Sequence, residues 1–338
     1  MVEKNNHKEV LIDNHGRRIN YLRLAVTDRC NLRCFYCMPE EGIKYVDRLD
    51  LMTYEEMLRL IRILAEMGVN KLRITGGEPF VRKGLKGFIE KIHATPGMED
   101  IRLTTNGTVS QSLIKDFRRM GIRGVNLSLD TLDKERFFAI TRRDVLPGVL
   151  ESLQALQDAG IPTKVNTVVM AGRNTADIIS LAELAREQVQ EVRFIEEMPF
   201  NGGASRPDPE NWDHLRILSH LMENYPGMTP EPVSFGDTAV RYQVPGFKGK
   251  LGIIAAYSRT FCGSCNRLRL TPTGTVKTCL YDSGVFNIRD LMRQGATDEQ
   301  VGIAIRDAVG HRARNGFEAE KNQQFHGPAR ESMSTIGG

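Results

Sequence analysis

All six cysteines fall into two sets of three: Cys30, Cys34 and Cys37, then Cys262, Cys265 and Cys279, with none between residues 37 and 262. Both a closed zinc site and a fully held iron–sulfur cube take four protein ligands. Three thiolates on a 4Fe–4S cube hold three irons and leave the fourth free for a chelating ligand. Two such sets describe two centres, each one ligand short. Metal binding is the better expectation than disulfides, because a reducing cytosol keeps thiols free. The competing reading is a zinc site that pairs Cys34-x-x-Cys37 with Cys262-x-x-Cys265. It leaves Cys30 and Cys279 without a role.

The elements that must hold these residues are legible as alternation. Short β-like runs occur at 21–26, 71–75, 101–105, 125–129, 163–169 and 191–195. Helical stretches separate them. In 53–67, Thr53 and Glu56 make a capping box ahead of the stripe Met57, Leu60, Ile61, Leu64 and Met67. Segments 110–120 and 145–159 repeat the pattern, closed by Gly121 and Gly160. Six β-then-α units predict an α/β fold, an incomplete (βα)6 TIM-like barrel, with residues 1–250 as the barrel and 251–338 as a smaller C-terminal region carrying the second cysteine set. A hairpin turning at Pro272–Gly274 would return Cys279 to Cys262 and Cys265. The C-terminal region is expected to close the barrel mouth, with the two centres facing each other across it.

Polar, Gly and Cys residues gather just after the strands: the first cysteines, Thr75-Gly76-Gly77-Glu78-Pro79, Thr104 with Asn106, Ser128 with Asp130, and Glu196 onward, with Asn166 on the fifth strand. Sites in parallel α/β folds lie at that edge. The 46 basic and 42 acidic residues leave a net charge of +4, too mild for general nucleic-acid binding but compatible with a local anion pocket. Arg23, Arg73 and Arg193 lie on strands, and Arg267 and Arg269 share one face of another. Guanidinium forks match phosphate oxygens. The polar first 20 residues lack a secretory apolar core and no 18-residue apolar run follows, so a cytoplasmic protein without membrane segments is expected.

The C-x3-C-x2-C spacing with Tyr36 before the last cysteine resembles the radical S-adenosylmethionine superfamily, and RITGGEP at 73–79 resembles that superfamily's GGE element. With LTTNG, VNLSLD, VRFIEEMP, CGSCNRLRL and the closing Ile336-Gly337-Gly338, the whole chain resembles the GTP 3′,8-cyclase family of molybdenum cofactor (molybdopterin) biosynthesis. That resemblance implies two 4Fe–4S clusters, on Cys30, Cys34 and Cys37 and on Cys262, Cys265 and Cys279, with S-adenosylmethionine contacted by Tyr36, Gly77, Ser128 and Met198. It implies GTP as substrate, contacted by Arg23, Arg73, Thr104, Lys164, Arg193, Arg267, Leu268 and Arg269, with its guanine on the second cluster. The implied product is (8S)-3′,8-cyclo-7,8-dihydroguanosine 5′-triphosphate, formed after a 5′-deoxyadenosyl radical takes the ribose 3′ hydrogen. Implied partners are an external electron donor such as flavodoxin and, functionally, cyclic pyranopterin monophosphate synthase as the next enzyme; the chain is expected as a monomer or homodimer. The glycine tail is expected to reach the active site. The rival readings are another two-cluster radical enzyme acting on a peptide and a non-catalytic zinc protein.

Overall fold

The computed structural model describes residues 10–38, 43–198, 212–322 and 332–336. Pro199, most of the Gly/Pro-rich stretch at 201–212, and Gly337-Gly338 lie outside them.

Six parallel strands form in sequence order: β1 (Tyr21–Ala25), β2 (Lys71–Thr75), β3 (Asp100–Thr105), β4 (Ile122–Ser128), β5 (Thr163–Val169) and β6 (Glu191–Glu196). Between them run α1 (Tyr54–Glu66), α2 (Leu85–His93), the short α3 (Gln111–Ile114), α4 (Lys134–Thr141), α5 (Leu146–Asp158), α6 (Ile178–Ala182) and α7 (Leu184–Glu187). Thr53 and Glu56 form the expected capping box on α1. The stretch expected as one helix at 110–120 is α3 followed by tight turns, yet Phe117 and Met120 are buried as the apolar spacing requires.

Each strand alternates by the period of two. Leu22, Leu24, Leu72, Ile74, Leu103 and Val125 enter one apolar layer with Met57, Leu60, Ile61 and Leu64 of α1. Val165, Val192 and Phe194 enter a second. The opposite face carries Tyr21, Arg23, Arg73, Thr104, Asn126, Ser128, Lys164, Asn166, Glu191 and Arg193. A barrel interior this polar is built to hold something polar.

After β6 come α8 (His214–Asn224), β7 (Thr229–Pro230), β8 (Val240–Gln243), β9 (Lys250–Ile254), β10 (Arg267–Leu270), β11 (Thr275–Lys277), β12 (Phe286–Asn287), α9 (Ile288–Arg293), α10 (Asp298–Gly310), α11 (Gly316–Lys321) and α12 (Met333–Ile336). These strands do not make a separate sheet. β9 joins β6 in parallel and β10 joins β1 in parallel, so the C-terminal part extends both edges. The order is β12-β11-β10-β1-β2-β3-β4-β5-β6-β9-β8-β7. The division expected after residue 250 falls at the first residue of β9. The loop before β8 links the two edges: the Gly236 carbonyl accepts from Arg267 on β10 at 2.5 Å.

Candidate functional site

The first cysteine loop leaves the carboxyl end of β1. Cys34 O accepts from the backbone of Cys37 at 3.0 Å and of Met38 at 2.9 Å, which curls the loop inward. Its outer side is fixed to α4, with Arg33 N donating to Thr141 O and Phe35 N to Ile140 O. Tyr36 Oη donates to Asp130 Oδ2 at 2.7 Å, and Ser332 Oγ donates to Cys37 O at 2.5 Å. Leu32 N and Asn106 Nδ2 approach Cys30 Sγ at 3.4 and 3.7 Å. Burial, then the neighbouring Asp130 and thiols, push Cys34 far up, and burial with Cys30 nearby pushes Cys37 to about 12. Cys30 is also raised, chiefly by burial.

The double glycine serves a backbone contact. Gly77 N donates to Thr27 O and Glu78 N to Arg29 O, both at 2.9 Å. A Cβ on Gly76, at φ +147°, would meet Thr27 O at 2.5 Å, and one on Gly77 would meet Arg29 O at 2.3 Å. The glycines therefore let the end of β2 lie directly against the strand end that launches Cys30. Glu78 turns away from solvent and accepts from Thr105 Oγ1 at 2.9 Å and Asn106 N at 2.8 Å. Burial raises its carboxyl to about 7.

The second set lies at the other end of the strands. Cys262 and Cys265 precede β10, which pairs with β1 in the register Tyr21↔Arg267. β10 and β11 form the expected antiparallel hairpin, pairing Arg269 with Lys277, so the chain runs back toward Cys265 as it reaches Cys279. Asp282 Oδ2 holds that return by accepting from Thr278 N and Cys279 N. The first set follows the carboxyl end of β1 and the second precedes the amino end of its neighbour. A strand of four to five residues separates them, about 13 to 17 Å at 3.3 Å per residue. The two sets thus face each other along the barrel, not across one mouth as expected. A single tetrahedral ion cannot join them, since its sulfur ligands lie within about 2.3 Å of the metal.

Both sets line one cavity, together with Tyr36, Gly77, Ser128, Met198, Arg23, Thr104, Arg267 and Arg269. Thr104 Oγ1 and Asn166 Oδ1 are buried there with no hydrogen-bond partner among the described residues. Arg73, Lys164 and Arg193 are on the same face but engaged within the chain. Arg73 Nε donates to Tyr21 Oη at 2.6 Å; Lys164 and Arg193 reach Glu191 at 2.5 and 2.7 Å. Burial alone would raise Glu191, but Arg193 and Lys164 outweigh it and hold the carboxyl at about 2. Burial and the Arg193 charge pull Lys164 down to about 8 despite its pairing. Leu268 is buried in the apolar layer, so only its backbone is available to a ligand.

The sequence did not single out the residues behind the second set. Arg312 donates to Cys265 O at 2.9 Å and to Cys265 Sγ at 3.0 Å. Arg17 donates to Cys262 O at 3.0 Å. Asp13 joins the two arginines, 2.6 Å from Arg17 and 3.5 Å from Arg312. Burial raises Cys265, but Arg312 and Arg267 overcome it and bring the thiol to about 7, while burial drives Cys279 to about 11 and also raises Cys262. Glu191, Asp282 and Ser332 were likewise unmarked, because an isolated charge or serine carries no signal until its partner is known.

The donor sets fit iron–sulfur ligation. All six cysteines are free thiols, partly buried in two groups of three. At every one of them but Cys265, burial disfavours the thiolate unless iron supplies positive charge. N–H donors already approach the sulfurs of Cys30 and Cys265. Among the described residues no three or more His, Cys, Asp or Glu converge on a single ion. A cluster spreads its ligands wider than an ion does.

Residues 24–185 match the Radical SAM superfamily model and 190–317 match Molybdenum Cofactor Synthesis C. The chain is 41% identical to a Geobacter sulfurreducens protein named GTP 3′,8-cyclase, over 97% of this chain and 99% of that one. It is 39% identical to Molybdenum cofactor biosynthesis protein 1 of Drosophila melanogaster over 94% of this chain but 56% of that one, and so spans about half the length of such relatives. Its fold resembles Streptococcus suis SuiB, with a TM-score of 0.62 at 14% identity over 89% of this chain and 72% of that one. With two domain matches that divide almost the whole chain and a relative matched end to end, the chain belongs to the GTP 3′,8-cyclase family of the radical SAM superfamily.

Proposed function

We propose that the chain converts GTP to (8S)-3′,8-cyclo-7,8-dihydroguanosine 5′-triphosphate in molybdenum cofactor biosynthesis. The observation that carries this reading is one cavity with three cysteines at each end and cationic residues between them. Cys30, Cys34 and Cys37 would hold one 4Fe–4S cluster and Cys262, Cys265 and Cys279 a second. Bound there, the first cluster and S-adenosylmethionine would supply the radical chemistry that removes the ribose 3′ hydrogen.

The chain's own residues bind and orient. S-adenosylmethionine would sit at the first set, against Tyr36, Gly77 and Ser128, and would reach Met198 across the cavity, where that side chain packs on Tyr281. The orphan Thr104 Oγ1 and Asn166 Oδ1 offer hydrogen bonds to a polar ligand in the barrel. Arg23, Arg267 and Arg269 offer positive charge for a triphosphate, with Arg73, Lys164 and Arg193 on the same face of the sheet. Guanine would lie toward the second set. A reactive radical also requires that water be kept out of this cavity once the substrates are bound. An external donor such as flavodoxin would supply electrons, and cyclic pyranopterin monophosphate synthase would take the product. Among the described residues no helix is long and apolar enough to cross a membrane, and a cytoplasmic location belongs to this proposal.

The test is anaerobic purification, iron and sulfide analysis, and incubation with GTP, S-adenosylmethionine and a strong reductant. About eight irons per chain and the cyclised nucleotide are expected, the iron count following from two four-iron clusters. Formation of 5′-deoxyadenosine with GTP left unchanged would point to another substrate.

A further inference from the structure

The six cysteines differ in what touches their sulfur. At the first set the approaching donors are neutral: the Leu32 amide and the Asn106 side-chain amide on Cys30, the Tyr36 hydroxyl on Cys34, and the Ser332 hydroxyl and Ser334 amide on Cys37. At the second set Cys265 Sγ meets a guanidinium, with Arg312 Nη2 at 3.0 Å. Arg312 Nη1 grips the carbonyl of the same residue at 2.9 Å. The planar fork thus spans backbone and sulfur of one cysteine, a geometry that a lysine cannot reproduce.

That arginine cannot turn away. It is 4% exposed, and its charge is met by Asp13, whose side chain is fully buried. Asp13 is itself fixed by Arg17 through its backbone amide at 2.9 Å and Nε at 2.6 Å. Arg17 spends its remaining donors on Cys262 O, Ala313 O and Arg314 O. The N-terminal segment and the residues after α10 are therefore clasped together behind Cys262 and Cys265.

We propose that Arg312 is a positioning residue that tunes the second cluster: its charged hydrogen bond to the sulfur of Cys265 raises that cluster's reduction potential relative to the first. This inference rests on the two-cluster reading above. Reduction adds negative charge to a cluster, and an N–H···S bond from a permanent cation stabilises the more negative state. Asp13 offsets part of the charge and fixes its direction, so the effect falls on one sulfur.

The test uses the full chain carrying Cys30→Ala, Cys34→Ala and Cys37→Ala, reconstituted anaerobically so that only the second cluster contributes. Its midpoint potential and reduced-state EPR spectrum are measured with Arg312 intact, with Arg312→Gln and with Arg312→Lys. The expected result is a shift to more negative potential in Arg312→Gln and a smaller one in Arg312→Lys, which keeps the charge but loses the fork. Equal potentials in all three overturn the inference. So does an Arg312→Lys protein at the parental potential beside an Arg312→Gln protein that holds no iron, because Arg312 would then only support the fold. A background without any iron overturns the two-cluster reading first and takes this inference with it.

Discussion

The two cysteine loops use the same donors in opposite electrical settings. At the first, the Arg33 guanidinium meets the Cys30 carbonyl at 2.6 Å rather than a sulfur, and the loop borders two buried carboxyls, Asp130 and Glu78, both pushed upward by burial. The second is held by Arg17 and Arg312 on a carboxylate kept low. All three first-set thiols are raised, whereas Cys265 is drawn down to about 7. A loop amid buried acids destabilises added negative charge; a loop with a guanidinium on one of its sulfurs tolerates it. Ligand count alone would make the two sites equivalent. Their surroundings make them different.

The sharpest test removes one thiol from each set. Cys34→Ala is expected to abolish 5′-deoxyadenosine formation, whereas Cys265→Ala leaves uncoupled cleavage and loses the cyclised nucleotide. Anaerobic chromatography of both nucleosides reads the two outcomes. Identical losses in the two variants would erase the functional side of the comparison.

Next in size is the buried carboxylate of the second region. Asp13→Ala leaves Arg17 and Arg312 buried without their counter-ion, and loss of about 3 to 5 kcal/mol is expected from urea unfolding. A cost near that of a surface pair, under about 1 kcal/mol, would show that the arginines do not depend on it.

Asp13 and Asp130 also predict opposite pH arms. Burial lifts Asp130 to about 6, above its ordinary 3.8. Its folded form binds the proton more tightly than its unfolded form does, so its contribution is complete below pH 4 and is lost as pH rises toward 6. That arm is worth on the order of 3 kcal/mol, from two pH units at 1.36 kcal/mol each. Asp13 is lowered, since the hydrogen bonds and charge of Arg17 outweigh burial. Its contribution is present above pH 4 and disappears as pH falls through the folded value. Asp130→Asn should flatten the pH 4–6 arm of a stability profile, and Asp13→Asn the arm below pH 4. Both variants flattening the same arm would contradict the assigned signs.

What the sequence made legible follows the same division. The strands β1 to β6 and both cysteine sets were readable because alternation and spacing are local. The Pro272–Gly274 hairpin was readable for the same reason. The parallel seating of β10 on β1 was not, since it joins segments about 250 residues apart in a register that no local pattern encodes. With that pairing went the location of the second set, at the far end of the barrel. Asp13, Arg17 and Arg312 carried no signal in the sequence because their partners lie up to 297 residues away. The double glycine was visible, but its physical reason is a tertiary contact with residues 27–30, about 50 residues earlier in the chain. Asp130 and Asn106 stood out only as polar strand ends.

The smallest predicted effect concerns the first loop. Ser332 Oγ bonds Cys37 O at 2.5 Å and also meets Ser334 Oγ at 2.8 Å. Ser332→Ala removes one neutral hydrogen bond and leaves an acceptor that bordering water can satisfy, so about 1 kcal/mol is the expected cost. The loop keeps its other ties, to Thr141, Ile140 and Asp130. Iron content should therefore stay near the parental value while the urea midpoint falls slightly. Loss of about half the iron would mean that this one serine holds the cysteine loop in place. The first region would then depend on a single contact as strongly as the second depends on Asp13.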